Sequence, residues 1–129
     1  MRRLALPIIL LASLALTGCS TASSPATTPA SAAQPTGTDR TAELRSTLSA
    51  DLAQFLTSAV EVEPGRITVA TTVIDPRSGK GGAAAQAAIA ICQSAVALTG
   101  TTYVSVQESD GSTFVLYGHP TYGNTCTEV

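Results

Sequence analysis

From residue 20 to residue 38 the chain contains only Ser, Thr, Ala, Pro, Gly and Gln, with no charge, no aromatic ring and no large aliphatic side chain. Such a stretch cannot bury enough apolar surface to offset the entropy of ordering it. Pro25, Pro29 and Pro35 keep it extended. Residues 19–38 therefore read as a disordered tether, and any packed core is confined to residues 39–129. About ninety residues make one domain. A domain of that size has a limited core and gains from a covalent staple.

The segment before the tether has its own logic. Arg2 and Arg3 form a short positive region, and residues 4–16 are apolar apart from Pro7 and Ser13. That run falls short of the roughly 20 apolar residues needed to span a bilayer, and it fits the apolar region of an export signal, about 7–15 residues long. It ends in Leu16-Thr17-Gly18-Cys19. This arrangement resembles the lipobox signal peptide of bacterial lipoproteins, in which a Leu and two small or permissive residues precede an essential Cys. The resemblance covers only about the first twenty residues. It implies that residues 1–18 are removed and that Cys19 becomes the new N-terminus, carrying a diacylglyceryl group on its sulfur. Two acyl chains hold a protein stably to a membrane where one does so only marginally. The implied location is the extracytoplasmic face of the cell membrane, or the outer membrane in a two-membrane host, since Ser20 after the Cys is compatible with that sorting. The residues that normally surround a twin-arginine export pair are absent, which favours the general secretion route.

Cleavage before Cys19 leaves five basic residues against nine acidic ones, a charge near −4. That balance argues against a nucleic-acid partner and against a polybasic grip on anionic lipid.

Within residues 39–129 the pattern predicts an α+β fold of order α-β-α-β-β, with two helices packed on one face of a three-stranded sheet. Residues 41–60 read as an amphipathic helix, because Leu44, Leu48, Leu52, Phe55, Leu56, Ala59 and Val60 recur at spacings of three and four. Asp39 is the expected N-cap and Glu63-Pro64-Gly65 the stop. Residues 66–74 read as a strand with Ile67, Val69, Thr71 and Val73 on one face. Residues 82–99 read as a second, alanine-rich helix, with Gly100 ending it. Residues 102–107 and 113–118 read as a hairpin around Asp110-Gly111. A two-residue turn would put Val104 and Val106 on the face of Val115 and Tyr117, whereas a one-residue bulge would put Phe114 and Leu116 there. Residues 119–129 read as a polar tail. The connection from the first strand through the second helix to the next strand is expected to be right-handed.

Once Cys19 is lipidated, Cys92 and Cys126 are the remaining cysteines. In an exported domain they are expected to pair. The bridge would pin the tail to the apolar face of the second helix. Closing a loop of about 35 residues is worth roughly 3–4 kcal/mol on the chain-entropy model. There is no CxxC spacing and His119 is the single imidazole, so neither a redox motif nor a metal site is expected.

Chemistry-bearing patterns are sparse. His119 has no nucleophile or orienting carboxylate at a recognisable spacing. Arg77, Lys80, Gly81 and Gly82 lie between a strand and a helix start, where backbone N–H groups and the helix dipole can hold an anion. Their order is not GxxxxGK[ST], so they do not form a P-loop. Asp75, Glu108, Asp110 and Glu128 do not follow the spacing of a calcium loop. Tyr103, Tyr117 and Tyr122 fall late in the chain and offer a possible contact surface. No cofactor is implied. The reading that fits best is a membrane-tethered, non-enzymatic interaction or accessory module with an envelope protein as partner. The alternative is a small-ligand or anion binder using residues 77–82. A hydrolase built on Ser or His119 comes third.

Overall fold

A computed structural model describes residues 36–77 and 79–129. The leader, the Leu16–Cys19 motif and most of the tether lie outside the described residues, as does Ser78. The described chain runs β1 (Thr38–Asp39), α1 (Thr41–Thr47), α2 (Ala50–Ala53), β2 (Leu56–Glu63), β3 (Arg66–Thr71), α3 (Ala83–Val96), β4 (Tyr103–Gln107), β5 (Thr113–Tyr117) and β6 (Thr127–Glu128). The six strands form one sheet in chain order. All neighbours are antiparallel except β3 and β4, which α3 joins as a parallel pair.

The expected three-stranded sheet under two helices is therefore corrected to a six-stranded mixed sheet with three helices. The largest change lies in residues 41–60. The helix breaks at Leu48 and Ser49, both in extended conformation, and the chain then turns and enters β2. Leu44, Leu48, Leu52 and Phe55 still meet the core, from α1, α2 and the turn after α2. From Thr57 onward the β-branched residues Thr57, Val60 and Val62 favour a pleated surface. Pro64-Gly65 then joins β2 to β3 as a hairpin turn rather than stopping a helix. Gly65 takes φ +76, which suits glycine after proline in such a turn. Asp39 belongs to β1. Its carboxylate accepts the Thr41 N–H at 2.8 Å, while Arg40 occupies the N-cap position of α1.

The strand expected over residues 66–74 and the helix expected over residues 82–99 are both shorter, as β3 and α3. β3 leaves the ladder after Thr71, whose hydroxyl donates to the Gln107 carbonyl at 2.8 Å. Residues 72–75 stay tied down without being strand. Thr72 N–H donates to Phe55 O, Ser109 N–H to Val73 O, and Asp75 N–H to the Glu108 carboxylate.

The hairpin keeps the pairing of the two-residue turn and adds a bulge that brings Phe114 to the core, while Leu116 stays on the opposite face. Val104 pairs with Tyr117 and Val106 with Val115, as in the two-residue turn. The ladder then shifts so that Gln107 meets Thr113. Phe114 is the extra residue of that bulge, and it joins Val115 in the core. The polar tail also holds an element the sequence did not announce. β6 adds a sixth strand beside β5, pairing Thr127 with Leu116 and Glu128 with Val115.

The helices gather on one face. Leu44, Ala59, Val69, Ala88, Ile91, Ala95, Val104, Val106 and Val115 form its fully buried centre. On the other face, one row crosses every strand in register: Asp39, Val60, Thr68, Ser105, Leu116 and Thr127.

Candidate functional site

The C-terminal ends of the parallel strands β3 and β4 face the start of α3, the position where open α/β sheets usually place ligands. Arg77 and residues 79–82 lie there. Arg77 adopts φ +52, held by its own N–H donating to the Asp75 carboxylate at 2.8 Å. Its guanidinium lies 3.5 Å from Glu108 and 4.0 Å from Asp75. Glu108 is only 6% exposed and accepts the Asp75 N–H at 2.8 Å. The Ser112 hydroxyl sits 3.0 Å from Glu108 and 2.6 Å from Asp110. Hydrogen bonds from the Ser112 hydroxyl and N–H hold the Asp110 carboxyl below its ordinary range.

The other half of the loop is bound by the tail. Gly81 N–H donates to the Glu128 carboxylate at 2.8 Å, and Lys80 Nζ donates to the Glu128 carbonyl at 3.3 Å. The Gln86 amide closes on the Gly81 carbonyl at 3.1 Å. Gly82 is the N-cap of α3 and supplies no side-chain cap. A shallow cavity of about 180 Å³ remains between Asp75, Arg77, Gly79, Lys80, Glu128 and Val129. The structure thus brings Arg77, Lys80, Gly81 and Gly82 to one end of the sheet. It places Asp75 and Glu108 beside Arg77 and sets Glu128 against Gly81 and Lys80, so part of the donor set offered to an external anion is already met by the chain's own oxygens.

Sequence reasoning missed the roles of Glu108 and Glu128. Glu108 carried a usable signal, because it continues the inward alternation of Val104 and Val106. An acid at such a position requires a cation or several donors. Glu128 carried none, since its contacts come from residues 47 and 48 positions earlier in the chain.

The remaining candidates separate in space. His119 Nδ1 accepts the Thr121 N–H at 3.1 Å, and its ring lies 5.3 Å from that of Tyr122. The three tyrosines form no common surface. Tyr117 lies on the helix-bearing face with Val104 and packs against the core. Tyr103 is on the opposite face beneath the Arg66 guanidinium, 4.3 Å from the ring centre, and Tyr122 sits in the tail. Cys92 and Cys126 form a disulfide, with Cα atoms 6.1 Å apart, which fixes the tail to the middle of α3.

The outermost strands β1 and β6 are two residues long, and local groups cover more of β2 and β5 beside them. At the β2 edge, Arg40 N–H donates to Ala59 O, and the Thr41 hydroxyl accepts the Ala59 N–H at 2.9 Å. The Arg45 guanidinium donates to the carbonyls of Ala53 and Leu56 at 3.2 and 3.0 Å. At the β5 edge, β6 pairs with Val115 and Leu116, and Val129 N–H donates to Phe114 O. Outermost strands this short limit unwanted strand pairing. Among the described residues, no helix is long and apolar enough to cross a membrane. No protein-family model matches the chain, and neither does any curated protein or solved structure with which it was compared.

Proposed function

We propose that the chain is a cell-envelope lipoprotein, held to the membrane through a diacylglyceryl group on Cys19, whose globular part is a non-enzymatic interaction or accessory module. The observation that carries this reading is the run Leu16-Thr17-Gly18-Cys19 after two arginines and an apolar stretch. The Cys92–Cys126 disulfide supports a place outside the cytoplasm, where such bonds persist. With outermost strands only two residues long, a partner is expected to meet the face opposite the helices, around the half-buried Thr68 and Gln107, rather than add a strand.

The test is crosslinking on intact cells followed by capture of the protein, with wild type and Cys19→Ala run in parallel. The wild type is expected in the membrane fraction with one reproducible envelope protein. The variant is expected to be released, or to keep its leader. A variant that is cleaved and retained like wild type refutes the lipid anchor. A correctly anchored wild type with no partner above background refutes the interaction module and turns attention to residues 77–82.

A further inference from the structure

The tail is held very unevenly. Residues 120–125 are exposed, and β6 is two residues long. Of residues 119–129, Cys126 alone packs against the core cluster. The turn within the tail is self-contained: Gly118 N–H donates to Gly123 O, and Tyr122 and Gly123 N–H both donate to His119 O. The helix–sheet body, by contrast, closes without the tail, through Leu44, Ile67, Val69, Ala88, Ile91, Val104 and Val106. The two sulfur-bearing residues also differ. Cys92 is fully buried, whereas Cys126 is partly exposed beside a cleft of about 220 Å³ that Gln93, Val96, Tyr117 and Asn124 also line.

We infer that residues 119–129 are a strap latched by the Cys92–Cys126 bond, and that reduction by a dithiol opens the strap while the helix–sheet body stays folded. A thiolate of the reductant attacks the Sγ of Cys126, the less buried residue of the pair, and Cys92 leaves as a thiolate that takes up a proton. The second thiol of the reductant then displaces Cys126 from the mixed disulfide. The reductant ends as a disulfide, and the protein holds two thiols, having gained two electrons and two protons. Opening has two coupled effects. It removes the cover from the β5 edge at residues 114–116. It also withdraws Glu128 from Gly81 and Lys80, so the loop before α3 loses its partner at the same moment. This inference stands on the fold and does not depend on the lipid anchor.

Hydrogen exchange read by mass spectrometry tests it, on the full chain in detergent with and without a dithiol, and on Cys126→Ser without reductant. Peptides covering residues 79–82 and 113–129 are expected to exchange at least tenfold faster in both opened forms. Peptides covering β2, β3, α3 and β4 are expected to keep their protection. Unchanged exchange at residues 113–129 overturns the latch, because the strap then holds without its bond. Loss of protection throughout also overturns it, because the bond is then a staple of the whole fold.

Discussion

At the scale of single residues, ionised groups meet this structure's backbone more often than they meet each other. Glu61 accepts the Gly65 N–H at 2.7 Å and the Arg40 guanidinium at 2.9 Å. These two contacts, the backbone one first, hold its carboxyl below the ordinary value of 4.5. The folded state therefore binds protons less readily than the unfolded chain, where the carboxyl keeps that ordinary value. The contribution is complete above that unfolded value and is lost as pH falls through the lower folded one. Arg40 also lowers Glu43, and Thr41 lowers Asp39, so the same end of the molecule gathers three such groups. Urea midpoints are expected to hold from neutral pH to about 5 and to drop below about 4. In Glu61→Gln the acid drop is shallower. A wild-type stability that rises on acidification contradicts this assignment.

Among the elements, α3, most of β3 and the β4–β5 hairpin were legible, because each carries a sustained period and a marked turn. Residues 41–60 were not. The spacing of Leu44, Leu48 and Leu52 is helical whether the helix is continuous or broken at Ser49, and Phe55, Leu56 and Ala59 meet the core from turn and strand alike. What the pattern recorded was burial, and the backbone that delivers it changed along the way. α1 shows how little holds such a short helix. Leu44 is its one buried residue, with 0% exposure. Seven residues do not make a stable helix alone. Leu44→Ala is expected to cost about 2–5 kcal/mol, the range for emptying a leucine site in a core. It would appear as a lower urea midpoint with helix signal lost first from α1. A cost near zero means α1 is held by Arg40 and Arg45 instead. The candidate loop was legible as two cations and three glycines. The four carboxylates around it were not, because they arrive from a turn, a hairpin and a terminal strand that only the assembled sheet brings together.

For the molecule as a whole, the disulfide is a large share of a small total. Domains of this kind are stable by about 5–15 kcal/mol. Replacing Cys92 and Cys126 together with alanine is expected to cost roughly 3–4 kcal/mol while leaving a folded protein. Denaturant titration of oxidised wild type against the double variant measures it, and equal midpoints deny the bond any stabilising role. The parallel contact at the centre of the sheet bears on the order of assembly. The β2–β3 and β4–β5 hairpins close locally, but the contact between Thr102 and Gly65 spans 37 residues. Such long-range closure is slow, because its entropy is lost before the contacts form. Both cysteines follow β3 in the chain, so the bridge can form within residues 83–129 before the two halves of the sheet have met. A chain emerging N-terminus first would then carry β1 to β3 as a waiting half-sheet, and docking of the second half onto β3 would set the pace of folding.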